Sequence, residues 1–344
     1  MRIAIGVDSH KETLTASAVD ELGRQLDARE FQNDVAGHKL AFEWIGSLGL
    51  ERVVGIECSG SYGAAFSWFL MARGEDVREV PPALSWRERK RRPSAGKSDP
   101  VDAVAIAQVT AREQHLPIPK REGLLVDIRL LNTHREQLIR TRTQLANRCH
   151  RDLLILKPGY QTFVKSLRSK KNVRQAMGLV DGDPGVRAEL TRTRLETILG
   201  LDEQIYQVAK KIESKLEQTG TSLTEIKGVG PFVAATILGT VGDISRIRSK
   251  AAFASFAGTA PLPASSGMRH RHRMNRGGNR QLNRALHVIA KTQSRTVPEA
   301  KEYITRKMQE GRSYKEALRC LQRQLSNVIY RTLIEDARRT AAAA

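Results

Sequence analysis

Two apolar runs that each end in an acid constrain this chain more than any other feature. Ile3-Ala4-Ile5-Gly6-Val7 leads straight into Asp8, and Val53-Val54-Gly55-Ile56 leads straight into Glu57. Short apolar runs bounded by turn signals read as buried strands, so each carboxylate is expected at the end of a strand. Between them, Leu14–Val19 reads as a second strand. It turns at Asp20-Glu21-Leu22-Gly23 into a short third strand ending at Phe31, a meander. Val35–Leu48 reads as a helix, Arg52–Glu57 as the fourth strand, and Tyr62–Arg73 as a helix closed by Gly74. Asp76–Val80 is a short fifth strand, stopped by Pro81-Pro82. A basic segment, Trp86–Lys97, leads to a helix that opens near Ser98-Asp99-Pro100. Proline suits a first helical turn, and Ser98 or Asp99 can cap it.

Three strands, helix, strand, helix, strand, helix is the order of the ribonuclease H-like fold. Residues 1–120 are therefore expected to form an α/β domain of that kind, RuvC-like in its carboxylates. Asp8 and Glu57 end the first and fourth strands; Asp99 and Asp102 sit three apart on one face of the last helix. Mg2+ or Mn2+ takes oxygen ligands, and a pair of such ions can stabilise both the attacking and the leaving oxygen of an in-line displacement. Asp8 would bridge the ions and Glu57 would reach them from the neighbouring strand. Four buried carboxylates are costly without cations. Taken singly, each acid has a plainer reading: a strand end at Asp8, a loop start at Glu57, a helix cap at Asp99, a helix-dipole partner at Asp102. The joint placement is what points to a metal centre.

Lys plus Arg is 57 against 37 for Asp plus Glu, a net charge of +20. That balance favours a polyanionic partner, most often nucleic acid. Aromatic residues make up only 5%, so base stacking is not the evident binding mode. Cys58, Cys149 and Cys320 are far apart with no CxxC spacing, which argues against zinc and for small core residues. Cys58 directly follows Glu57. The histidines lack a ligand spacing; His270 and His272 lie among arginines and suit phosphate contact. No apolar stretch approaches the ~20 residues of a membrane span, and the chain opens on a strand pattern rather than a signal peptide. The expectation is a cytoplasmic, reduced protein near the nucleoid.

Residues 121–218 are expected to be helical. Leu124, Leu131, Leu138 and Leu145 recur every seven residues, as do Ile198, Ile205 and Ile212, with Leu201 and Val208 between. Sevenfold spacing suits a coiled-coil arm that pairs protomers or clamps nucleic acid, or an ordinary helical bundle. Between the two repeats lie the basic stretch Lys165–Arg174 and a turn at Asp181-Gly182-Asp183-Pro184-Gly185.

Residues 219–338 form a third, mostly helical region. Ile226-Lys227-Gly228-Val229-Gly230-Pro231 before an apolar helix resembles a helix-hairpin-helix turn, whose glycines (Gly228 and Gly230) let backbone N–H groups approach phosphate. From Ile244 to Pro298 there is no acid at all, while arginines crowd the stretch. Within it, Gly258-Thr259-Ala260-Pro261-Leu262-Pro263-Ala264-Ser265-Ser266-Gly267 is followed by Arg269, Arg271, Arg273 and Arg276. Gly277-Gly278-Asn279-Arg280 then precedes a helix from about Gln281 to Thr292. A serine among arginines can attack phosphorus and hold a phosphoserine link. On these residues alone, a nucleic-acid-binding loop whose serines only donate hydrogen bonds is the stronger reading.

Taken in order, Gly6-Val7-Asp8-Ser9-His10-Lys11, Gly55-Ile56-Glu57, Ser98-Asp99-Pro100-Val101-Asp102-Ala103, Gly228-Val229-Gly230, Ser266-Gly267 and Gly278-Asn279 resemble a family. It is the DEDD transposases of bacterial insertion sequences, the Piv/MooV-like or IS one-ten group. The resemblance spans nearly the whole chain. It implies a DNA transposase or site-specific recombinase with Asp8, Glu57, Asp99 and Asp102 as ligands of Mg2+ or Mn2+. It also implies a C-terminal serine that links covalently to DNA: Ser266, directly before glycine, with Ser265 as the fallback. Oligomers and a structured non-coding guide RNA are implied partners; segments 86–97 and 165–174 could hold such an RNA. The alternative is a RuvC-like, metal-only nuclease or resolvase whose C-terminal region only binds DNA. The chain departs from the family pattern at Arg276, where lysine is common, at Asn283, where arginine is common, and at Thr259, where leucine is usual.

Overall fold

The computed structural model describes residues 2–90, 99–119, 123–263, 272–275 and 277–343. The chain divides into two compact units, Met1–Glu122 and Gly123–Ala344.

In the first unit, β1 (Ile3–Ser9), β2 (Thr13–Val19), β3 (Gln25–Gln32), β4 (Arg52–Ile56) and β5 (Val77–Glu79) form one sheet. Their order across it is β3-β2-β1-β4-β5. β1 pairs antiparallel with β2 and parallel with β4, and β4 pairs parallel with β5. This is the arrangement that the predicted succession of elements calls for. Helices α1 (Val35–Ser47), α2 (Ala64–Met71), α3 (Pro82–Lys90) and α4 (Asp99–Arg112) complete the unit.

Alternation along β1 and β4 decides what each face carries. Ile3, Ile5 and Val7, with Val54 and Ile56, pack with Trp44, Ile45, Phe66 and Leu70 of α1 and α2. Burying a side chain such as Phe66 or Leu70 stabilises by about 1.5–3 kcal/mol each. The alternate positions face α4, where Ala4 and Val53 meet Ala107. Asp8 and Glu57 continue this second set, two residues beyond Gly6 and Gly55, which lie side by side in the β1–β4 register.

Those two glycines set how closely α4 can lie. A Cβ on Gly6 would fall 2.1 Å from the Ala107 nitrogen and 2.3 Å from the Ala103 carbonyl oxygen. One on Gly55 would fall 1.8 Å from Thr110 Oγ1. The helix thus rests against bare backbone and runs antiparallel to β1, with its first turn at the acid-bearing ends of the strands. The helix α3 was not anticipated. Pro81-Pro82 reads as a strand stop, yet Pro82 opens a helix that takes in the start of the basic segment, proline being at home in a first turn.

In the second unit, the two longest helices are α5 (Leu124–Leu156) and α7 (Val186–Glu217). Ion pairs Lys215–Asp127, Arg142–Asp202 and Arg194–Asp152 climb one helix while descending the other, so the two are antiparallel. Leu138, Ile198, Leu201, Val208 and Ile212 of the sevenfold patterns are buried. Toward the far end, α6 (Lys170–Leu179) closes a separate small core around Cys149, Leu153, Val173 and Leu195. Then follow α8 (Pro231–Val241), α9 (Lys250–Phe256), the hairpin β6 (Pro261–Pro263) and β7 (His272–Met274), α10 (Arg280–Thr296), α11 (Pro298–Gln309) and α12 (Tyr314–Ala343). Among the described residues, no helix is long and apolar enough to cross a membrane.

Candidate metal centre

Asp8 is the sixth residue of β1, and its side chain is only 14% exposed. His10, just past the strand, brings Nε2 to 3.3 Å from Asp8 Oδ2 and 3.4 Å from Asp99 Oδ1. One donor atom from each of these three residues lies within 4.8 Å of the other two. Asp99 and Asp102 occupy the first turn of α4, where unpaired N–H groups favour negative charge. Glu57 follows β4, and its backbone N–H donates to the Val7 carbonyl at 3.1 Å, which keeps it level with Asp8.

The four predicted acids divide into two pairs. Asp8 and Asp99 share His10. Glu57 and Asp102 are engaged by α3: Ser85 Oγ donates to Glu57 Oε2 at 2.7 Å, and Arg89 Nη1 donates to both Asp102 oxygens at 2.7 and 2.6 Å. The groups still sense one another. Burial lifts the Asp8 carboxyl above its ordinary range, His10 draws it down, and the charges of Asp102 and Asp99 lift it further. Burial likewise lifts Glu57, with the Ser85 hydrogen bond opposing and Asp8 adding to the rise. Carboxylates raised by desolvation and by each other are a donor set that a divalent cation would relieve, and their oxygens suit a hard one. Asp8 and Asp99 fit such an ion as they stand; Asp102 would join them once Arg89 gives way.

His10, Ser85 and Arg89 were not singled out from sequence. His10 was visible in the Asp8-Ser9-His10 run; Ser85 and Arg89 depended on recognising α3. Cys58, the residue after Glu57, takes a left-handed backbone (φ 59°), the sole non-glycine residue to do so among those described. Burial raises its thiol, as does the charge of Glu57.

The sites proposed farther along the chain are described only in part. Ser265, Ser266, Arg269, Arg271 and Arg276 lie outside the described residues, as do Ser98 and His270, and Arg273 is described only as part of β7. The described residues on either side of them are held together. The Asn279 N–H donates to Phe256 O at 2.7 Å and Asn283 Nδ2 to Ala257 O at 2.9 Å. Gly258 and Gly278 cross so closely that a Cβ on Gly278 would lie 2.3 Å from the Gly258 backbone. Asn279 itself caps α10, its side-chain oxygen accepting from the Gln281 and Leu282 N–H groups. Asn283, one of the departures noted above, thus helps to hold these residues together. Arg280 is exposed in the first turn of α10. Gly228 adopts φ 89°, and Gly230 precedes α8 with no side-chain cap on that helix end. A short 3-10 turn, Leu223–Glu225, rather than a full helix, precedes these glycines.

A family model described as a transposase, the DEDD type of the IS110 group, matches residues 5–158, a span that contains all four acids. A second, described as the IS116/IS110/IS902 transposase family, matches residues 220–305. The chain belongs to the IS110 family of transposases. This transposase is 28% identical to the 44.8 kDa protein of insertion element IS116 from Streptomyces clavuligerus, over 96% of its own length and 94% of that protein's. It is 25% identical to the pilin gene-inverting protein of Moraxella bovis, over 82% and 80% of the two chains. Among solved structures, T. thermophilus RuvC in complex with a Holliday junction substrate aligns with a TM-score of 0.25 and 16% identity, over 31% of the transposase and 90% of RuvC. That likeness is too loose to carry an argument.

Proposed function

We propose that this transposase cuts and rejoins DNA with two sets of groups: Asp8, Glu57, Asp99 and Asp102 as ligands of Mg2+ or Mn2+, and Ser266 as nucleophile. The observation that carries the reading is the gathering of the four carboxylates at one end of the β1–β4 pair, beneath a helix seated on glycine. When bound, divalent ions would supply charge neutralisation at the attacking and leaving oxygens of a phosphodiester. The protein's own part is positional: β1 and β4 fix Asp8 and Glu57, and the start of α4 aims Asp99 and Asp102 at them.

In the serine step, Oγ of Ser266 forms a bond to phosphorus as one bridging P–O bond of the DNA breaks. The serine proton ends on the departing strand's oxygen, and the phosphoserine link keeps the bond energy for rejoining. Arg269, Arg271, Arg273, Arg276 and Arg280 would neutralise phosphate oxygens around it. Gly228 and Gly230, with the uncapped start of α8, would take a further backbone phosphate. The antiparallel α5/α7 pair would serve as the coiled-coil arm that joins protomers, and a structured non-coding RNA would direct target choice.

The test is a denaturing gel of end-labelled DNA incubated with protein, Mg2+ and RNA transcribed from the flanks of the element. A protease-sensitive protein–DNA adduct in wild type, missing in Ser266→Ala and in EDTA, is the expected result. Free cut ends without an adduct in both proteins would replace this reading with a metal-only nuclease.

A further inference from the structure

We infer that His10 is itself a metal ligand, which gives the ion shared by Asp8 and Asp99 a mixed nitrogen–oxygen donor set and a preference for Mn2+ over Mg2+. The inference rests on the metal reading above and deepens it.

Three observations carry it. First, the geometry is convergent: Nε2 stands 3.3 Å from an Asp8 oxygen and 3.4 Å from an Asp99 oxygen. Adjacent ligands of an octahedral ion with bonds of about 2.0–2.1 Å lie about 3 Å apart, so small adjustments suffice to share one ion. Second, the backbone at His10 is held from two sides. Its N–H donates to Thr13 O at 2.9 Å, and its carbonyl accepts from Asn33 Nδ2 at 2.8 Å. The ring therefore projects from a fixed point at the strand end. Third, the remaining acids are engaged elsewhere, Glu57 by Ser85 and Asp102 by Arg89. Among the described residues, the imidazole is the group that joins Asp8 and Asp99 in a cluster tight enough to share one ion, and Asp102 would join it once Arg89 gives way.

The chemical consequence follows from ligand type. Mg2+ favours oxygen donors, whereas an imidazole nitrogen raises affinity for first-row transition ions. The competing role for His10 is a cationic partner of the two carboxylates, displaced when a metal binds. The two roles predict different spectra.

The experiment uses the full chain loaded with Mn2+ and examined by pulsed electron paramagnetic resonance, with the histidines labelled with 15N or unlabelled. A histidine nitrogen coupling that changes with the label and vanishes in His10→Ala is expected, with Mn2+ affinity falling by about tenfold or more in the variant. Mg2+ affinity, measured by competition, should fall by a smaller factor. Circular dichroism checks that the variant is folded; a histidine coupling that persists in folded His10→Ala comes from another of the eight histidines and would overturn the inference. Saturable Mn2+ binding that Asp8→Asn abolishes, but with no histidine coupling, would overturn the inference and leave the carboxylate centre standing. A wild-type chain that binds no Mn2+ would overturn both.

Discussion

Replacing Gly6 by alanine should draw Asp99 and Asp102 away from Asp8 and Glu57 without altering any of the four side chains. The added methyl would sit 2.1 Å from the Ala107 nitrogen, 2.3 Å from the Ala103 carbonyl oxygen and 2.7 Å from the Ala107 α-carbon. All three are backbone atoms, so no rotamer change relieves the clash. Opening the shortest approach to an ordinary contact near 3.4 Å moves α4 off the sheet by roughly 1.3 Å. Asp99 and Asp102 ride in the first turn of that helix and move with it, while Asp8 stays on β1. Overpacking of this kind costs about 1–3 kcal/mol, or roughly 4–12 °C in the melting temperature of a unit this size. Misplacing catalytic groups by about 1 Å can lower a rate by about 100-fold. The assays are thermal melting, Mn2+ titration and metal-dependent strand cleavage of Gly6→Ala. Gly46→Ala is the control: this exposed glycine lies inside α1 with nothing within 4 Å of an added methyl, so the change should stabilise by up to about 1 kcal/mol. Wild-type metal affinity and cleavage in folded Gly6→Ala would refute the claim that close seating of α4 builds the site.

Two further outcomes are expected. Arg89→Ala leaves Asp102 beside other carboxylates without its cation, so the variant should lose about 1–3 kcal/mol in EDTA. It should also gain more than wild type from added Mg2+; equal metal-induced shifts in melting temperature would refute the pairing. In the second unit, burial alone would raise Asp336, but hydrogen bonds from Ser222, Thr221 and Arg339 outweigh it and hold the carboxyl below its ordinary value. A lowered folded-state value adds stability that is present above the unfolded carboxylate range near ~3.9 and lost as pH falls through the folded value. The gap in unfolding free energy between wild type and Asp336→Ala should thus be full at pH 7 and shrink below about pH 4; a gap constant down to pH 2 would contradict this.

Much of the first unit was legible because two signals agreed. Apolar runs gave the strands, and an acid at each run's end gave the site. What escaped notice was the alternation Ala4, Gly6, Asp8 and Val53, Gly55, Glu57, which puts both glycines and both acids on the α4 face. Each run looked apolar throughout because both faces of the sheet are covered. The helix α3 was hidden by Pro81-Pro82, since the same proline that ends a strand can open a helix. His10 was hidden because a half-exposed histidine becomes informative only when a second element, here the start of α4, is folded against it. In the second unit, the sevenfold leucines and isoleucines did mark core-facing positions. Asn279, just before a helix and among arginines, could cap the helix or meet phosphate; in the fold its oxygen accepts from two N–H groups of α10. Sequence shows that asparagine precedes a helix, but not which of its two capacities the fold employs.

The crossing of Gly258 and Gly278 has a consequence for what this chain can tolerate. Both ends of the intervening segment are pinned to α9 and α10 through backbone contact and the Asn279 and Asn283 hydrogen bonds. Closing a segment whose ends are already together costs little more when it grows, about 0.6 kcal/mol for each doubling in length. The base of the segment is therefore fixed independently of what it carries: α9 and α10 can keep their packing if the intervening segment changes in length, provided that the two glycines remain.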